Sequence, residues 1–194
     1  MNQADIEADA SDRALIQRIA AGDRAALTVL YRSYHASLCR FLSRLTRRAD
    51  IIEEVVNECF WIVWQKAGTF RCDSRVSTWI MGIAYRCGLK ALRQHGNLPV
   101  GDPAFLEERG PAHDPDEDRE LRDWLGKALD RLSPDQRVVI ELVYGIGHNL
   151  EDVALIMQCP VGTVKARLFH ARLKLRNVLP ALAGEPGRLK ENAK

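Results

Sequence analysis

Apolar residues in this chain recur at steps of three and four, and nowhere alternate convincingly with a period of two. Nothing in it is patterned to pair as a sheet. Leu27, Leu30, Tyr31, Tyr34, Leu38, Phe41, Leu42 and Leu45 form one helical stripe, with Asp23 placed to cap it. Ser11 is read as the cap of a shorter helix that carries Leu15, Ile16 and Ile19 and stops at Gly22. Asp50 and Glu53 make a D-x-x-E start, close to a capping box, before Val55, Val56, Cys59, Phe60, Val63 and Trp64. Gly68 ends that helix. After a loop from Phe70 to Val76, Ser77 opens another through Trp79, Ile80, Ile83, Ala84, Cys87 and Ala91. The expected class is all-α.

One stretch breaks the pattern. Leu98 to Asp118 holds Pro99, Pro103, Pro111 and Pro115 with Gly101 and Gly110, which excludes a continuous helix or a central strand. It carries seven acids and one Arg, against 14 Lys/Arg and 10 Asp/Glu in residues 1–97 and 10 against 7 in residues 119–182. A flexible acidic tether between two basic helical bodies is expected. The domains are therefore read as residues 11–97 and 119–182, joined by residues 98–118. No apolar run reaches the roughly 18 residues of a membrane span. Met1 to Ala10 carries Asp5, Glu7 and Asp9 and no apolar core, so it does not read as a secretory signal. Five scattered cysteines without a C-x-x-C pair point to reduced thiols in a cytoplasmic protein. His35 and Cys39 share a helical spacing, but two ligands do not make a metal site, and none is expected. No phosphate loop, nucleophile motif or acid pair of an enzyme is present, and no cofactor is expected.

The second body begins near Arg119, with Leu121, Leu125, Ala128, Leu129 and Leu132 on one face. Ser133-Pro134-Asp135-Gln136 is a strong helix start, and the helix runs to Tyr144. Leu150 to Met157 is a short helix, Cys159 to Gly162 a turn, and Thr163 to about Leu179 a last helix. This is the plan of a helix-turn-helix. On a wheel the last helix turns Val164, Leu168, Ala171 and Leu175 inward. Lys165, Ala166, Phe169 and His170 face outward, with Thr163, Arg167, Arg172 and Arg176 nearer the borders. Five Lys/Arg and no acid lie between Thr163 and Arg176. Such a helix suits the major groove, its first turns at base edges and its cations at phosphates.

The run from Leu150 to Arg172, with C-P-V-G-T-V-K-x-R-L at its centre, resembles the promoter-binding helix-turn-helix of bacterial sigma factors of the extracytoplasmic-function group. Leu132-Ser-Pro-Asp-Gln-Arg-Val-Val is similar to the start of the same domain. In the first body, Glu54-Val-Val-Asn-Glu-Cys-Phe-Trp-Ile-Val-Trp64 resembles the family's D-L-V-Q-E-x-F-x-x-x-W. Phe70-Arg-Cys-Asp-Ser-Arg-Val-Ser-Thr-Trp79 resembles its F-x-G-x-S-x-F-x-T-W, and Ile83 to Arg93 the helix that follows. Two domains match in the right order.

The resemblance implies an alternative sigma factor that binds core RNA polymerase and directs it to promoters, without being an enzyme. It implies an anti-sigma factor as a further partner. Glu54, Asn57, Glu58 and Trp61 would meet the polymerase, Asn57 standing where Gln is usual. Ser74, Arg75, Val76, Ser77 and Thr78 would take a base flipped from the minus-ten element, and Arg86, Lys90 and Arg93 would hold strand phosphates. Cys72 stands where Gly is usual and Val76 where Phe is common. Thr163, Lys165, Ala166, Arg167, Phe169, His170 and Arg172 would read the minus-thirty-five element. Promoter DNA, as duplex and as melted strand, is the implied nucleic acid. Two rival readings stand beside it. A free-standing helix-turn-helix regulator leaves the first body without a task, and a sigma mimic that sequesters an anti-sigma factor has no need of a basic last helix.

Overall fold

The computed structural model describes residues 3–95 and 117–183, with side chains over 6–95 and 124–178. All regular structure among the described residues is helical. Helix α1 spans Gln3–Ala20, α2 Arg24–Leu42, α3 Ala49–Lys66 and α4 Val76–Gln94; a single 3₁₀ turn, Ala67–Thr69, follows α3. The second body holds α5 (Glu117–Asp130), α6 (Pro134–Ile140), a π-helical turn (Glu141–Gly145), α7 (Leu150–Met157) and α8 (Val161–Ala183). Of the expected tether, residues 98–116 lie outside the described residues, and Glu117 and Asp118 already belong to α5.

Several helix ends follow the local chemistry. Asp23 accepts from the backbone N–H groups of Ala25 and Ala26 at 2.9 and 3.1 Å and caps α2. Ser133 and Gln136 form a complete capping box at α6. Asn149 accepts from Asp152 N–H at 2.7 Å and starts α7. Gln158 ends α7 in the left-handed region, at φ 52°.

Other ends differ from expectation. Helix α1 begins eight residues before Ser11, because nothing between Gln3 and Ser11 breaks it and Asp5, Glu7 and Asp9 favour an N-terminal turn. Asp50 and Glu53 form no capping box. Asp50 turns back to the Arg48 guanidinium, and Glu53 reaches His35 on α2. Helix α4 starts at Val76, one residue before Ser77, and its cap comes from another helix: Val76 N–H donates to Asp9 of α1 at 2.9 Å. Helix α8 starts at Val161, two residues early, with Thr163 and Val164 N–H donating to the Pro160 carbonyl.

Helices α1 to α4 pack around Leu30, Leu38, Phe41, Val55, Val56, Phe60 and Ile80. The same buried cluster runs without a break into the second body, through Val138, Leu142, Val153, Ile156, Met157 and Val164. The crossing is made by α4 against α7, where a Cβ on Gly82 would lie 3.8 Å from the Ile156 backbone. A smaller cluster of Leu129, Leu132 and Ala171 fixes α5 on α8. Leu125, expected inward, is 45% exposed; among the described residues α5 packs chiefly on α8.

Candidate nucleic-acid interface

Helix α8 is anchored by Val164, Leu168 and Ala171, all buried, with Leu175 half-buried. That fixes its rotation and turns Lys165, Ala166, Phe169 and His170 to solvent. Phe169 is 63% exposed, and its ring meets His170 edge-on at 5.5 Å. An exposed aromatic beside cations suits a nucleic-acid surface better than a core. The flanking cations are placed by neighbours. Arg167, half-buried, lies 2.5 Å from Asp135 in the first turn of α6. Arg172 donates from Nε to the Tyr144 hydroxyl at 2.6 Å and stacks over its ring at 5.4 Å. Thr163 is half-buried at the start of the helix.

In the first body, Arg86, Lys90 and Arg93 are exposed along α4. The loop before α4 is tied down from both sides. Cys72 adopts a left-handed φ of 60°, the conformation that favours glycine. Arg13 of α1 donates to the Ser74 carbonyl at 3.4 Å and pairs with Asp9 at 2.6 Å. Val76 is fully buried and Thr78 nearly so, while Ser74, Arg75 and Ser77 are half-buried. Trp79, half-buried, packs on Phe70 at 4.9 Å. Of the five loop candidates, three are therefore on a surface and two are in the core of this arrangement.

On α3 the run Glu54, Asn57, Glu58 and Trp61 shares one side. Trp61 is 60% exposed, Glu54 and Asn57 are exposed and Glu58 is half-buried. Glu58 pairs with Lys90 at 2.7 Å, and Glu54 lies 3.7 Å from His95. Acids around an exposed indole make a face suited to a basic protein partner.

The two bodies meet through groups that periodicity does not reveal. Asp152, on α7, is ion-paired with Arg75 and accepts from the Thr78 hydroxyl at 3.0 Å. Arg75 also lies 3.3 Å from His148 Nδ1, and His148 is itself buried. Burial pushes the Asp152 carboxyl up, but hydrogen bonds from His148, Arg75 and Thr78 outweigh it and hold the group down at about 2. Glu141, buried in the π-helical turn, lies 3.0 Å from Arg40 Nε of α2 and 3.0 Å from Arg44 Nε in the turn that follows α2. Gly145 leaves room for that carboxylate: a Cβ there would sit 2.4 Å from Glu141 Oε1. Arg40 donates to the Gly145 carbonyl at 3.3 Å, and Arg47 pairs with Asp130 at 2.7 Å. Each contact between the two bodies joins residues at least 73 positions apart. Opposite charges on facing helices were the only signal available, and many other pairings satisfied it.

His35 and Cys39 gain a third neighbour in Glu53, with one ligand atom from each within 4.8 Å of the others. His35 Nε2 already lies 3.5 Å from Glu53, and the Glu53 side chain is largely exposed, so the group reads first as a histidine–carboxylate contact beside a thiol. All five cysteines are free thiols. Among the described residues no helix is long and apolar enough to cross a membrane.

Both bodies are those of one class of protein. Residues 30–97 match Sigma-70 region 2 and residues 122–175 match Sigma-70, region 4. The chain belongs to the sigma-70 family, whose members are transcription initiation factors and not enzymes. Its relatives narrow the group to extracytoplasmic-function (ECF) factors. It is 30% identical to the ECF RNA polymerase sigma-E factor of Haemophilus influenzae, over 89% of this chain and 97% of that one. To the sigma-E factor of Escherichia coli K12 it is 31% identical, over 89% and 96%. Among solved structures, RpoE of Bartonella quintana in complex with the anti-sigma factor NepR superposes with a TM-score of 0.61 at 28% identity, over 75% of this chain and 91% of that one. CnrH in complex with the cytosolic domain of CnrY shares the fold, with a TM-score of 0.65 at 22% identity, over 88% and 98%.

Proposed function

We propose that this chain docks on core RNA polymerase through α3 and reads a promoter with surfaces on both bodies. Glu54, Asn57, Glu58 and Trp61 form the docking face. Ser74, Arg75 and Ser77 line the loop that receives the melted minus-ten strand, with Arg86, Lys90 and Arg93 along its phosphates. Lys165, Ala166, Phe169 and His170 enter the major groove at the minus-thirty-five element, and Thr163, Arg167 and Arg172 flank them. Lys165 is suited to guanine O6 and N7, and Ala166 and Phe169 to a thymine methyl. The chain works in the cytoplasm, where polymerase and promoter DNA are, and answers to an anti-sigma factor. The complexes formed by CnrH and by RpoE support that last point.

The single observation that carries the reading is the outward face of α8. Lys165, Phe169 and His170 stand in solvent on a helix whose other side is anchored in the core. The test is run-off transcription with purified chain and sigma-free core polymerase on genomic fragments. Discrete starts sharing an upstream and a minus-ten sequence are expected. Absence of core association at modest ionic strength would overturn the proposal.

A further inference from the structure

Three side chains with metal-binding chemistry meet where α2 packs on α3. His35 and Cys39 lie one turn apart on α2, and Glu53 comes from near the start of α3. Spacing along the chain offers two ligands, and the fold supplies the third: one ligand atom from each lies within 4.8 Å of the others. We propose that His35, Cys39 and Glu53 bind a zinc-class divalent cation that clips α2 to α3. The site goes beyond the promoter reading and does not depend on it.

The separation of the ligand atoms carries the argument. Around tetrahedral zinc, with Zn–S about 2.3 Å and Zn–N or Zn–O about 2.0–2.1 Å, sulfur and nitrogen stand about 3.6 Å apart and nitrogen and oxygen about 3.3 Å. Here Cys39 Sγ is 3.8 Å from His35 Nε2, and the same nitrogen is 3.5 Å from Glu53 Oε2. Both edges exceed the tetrahedral ones by about 0.2 Å. Cys39 Sγ is also 3.8 Å from His35 Nδ1, so it stands beside the ring and not in front of a lone pair. The imidazole must turn about Cβ–Cγ to aim Nε2 at the ion. That torsion is soft, and 35% of the side chain is open to solvent.

The donor set selects the metal. A thiolate, an imidazole and a carboxylate suit zinc and its borderline neighbours, whereas magnesium and calcium take oxygen ligands. On binding, the Cys39 thiol gives its proton to solvent and forms the sulfur–metal bond, while His35 lends a neutral nitrogen. Three protein ligands leave the fourth position to water. The Glu53 side chain is 55% exposed, so the ion enters and leaves without the fold opening. Bound, it cancels an acidic charge one residue from Glu54, at the edge of the proposed docking face.

The test titrates the full chain, kept reduced by a phosphine so that no added thiol competes, with Co²⁺ as a coloured stand-in for zinc. One equivalent should give a sulfur-to-cobalt charge-transfer band in the near ultraviolet and tetrahedral d–d bands in the visible. One equivalent of Zn²⁺ should abolish both, and excess Mg²⁺ should not. Cys39→Ser should lose the charge-transfer band with its helical circular dichroism intact. Glu53→Gln and His35→Asn, which keep the thiol, should bind Zn²⁺ at least tenfold more weakly in competition with a chelator. Zn²⁺ at a hundredfold excess over its dissociation constant should raise the unfolding midpoint of the parent by about 5 °C or more and leave that of Cys39→Ser where it was. Absence of the band in the parent overturns the site. So does its persistence in Cys39→Ser, which would move the thiolate to the exposed Cys72 or the half-buried Cys159. Parent-like affinity in Glu53→Gln or in His35→Asn also counts against it, because the clip between α2 and α3 needs all three ligands.

Discussion

Lys90 Nζ lies 2.7 Å from Glu58 Oε1, so the cationic stripe of α4 touches the acidic face of α3. A residue proposed for DNA and one proposed for polymerase hold each other in the free chain. The pair is largely solvent-exposed and adds little to folding. Glu58→Gln is therefore expected to leave the thermal midpoint unchanged while weakening core association, which a pull-down against salt concentration would show. An unchanged association would remove Glu58 from the docking face.

The outward side of α8 gives the next expectation. Lys165→Ala with His170→Ala should weaken binding to upstream promoter duplex by about tenfold or more, since a good base contact is worth about 1–3 kcal/mol. Core binding and the unfolding midpoint should not move, because neither side chain is buried. Electrophoretic mobility shifts on matched and scrambled duplexes decide it.

Cys72 holds a backbone conformation that costs a non-glycine residue about 1 kcal/mol. Cys72→Gly relieves it and should raise stability by up to that amount, less what glycine adds to the freedom of the unfolded chain. Urea denaturation measures the sign. A loss of stability would show that the thiol makes contacts worth more than the strain.

Asp9 accepts from Val76 N–H across the first body and also holds Arg13. Asp9→Ala should cost about 1 kcal/mol, the usual worth of a helix cap. It should also open residues 70–75 to proteolysis, because the same carboxylate orients the Arg13 that reaches Ser74. Limited digestion followed by mass spectrometry reports the cleavage site.

Acid should loosen the joint between the two bodies in a defined window. Asp152 titrates lower in the joint than in an open chain, so its contribution is complete above the ordinary carboxylate range, near 4. It fades as pH falls through that range toward 2, as Arg75, His148 and Thr78 lose the anionic acceptor. Scattering at fixed ionic strength should show expansion below about pH 4 and none between 5 and 8 from this group.

What the sequence made legible was local. Asp23, Ser133 and Asn149 cap the helices they precede, and Val164, Leu168 and Ala171 turn inward as the wheel requires, because both effects act within a few residues. What escaped was long-range. Asp9 caps a helix 67 positions away, Thr78 is bonded by a partner 74 positions away, and Leu125 is left 45% exposed on the apolar face of its helix. Periodicity says which side of a helix is apolar, but not what stands opposite. Glu53 shows the same limit: its spacing suits a cap, and a histidine on the next helix claims it.

The apolar cluster that runs unbroken from Val56 to Val164 gives the joint a second character. Salt loosens its ionic contacts, but the oily seam between α4 and α7 answers to temperature, since hydrophobic cohesion weakens on cooling. A chain held this way is a crude thermometer: chilled, its two halves part more easily at the same ionic strength, and warmth toward the physiological range draws them together.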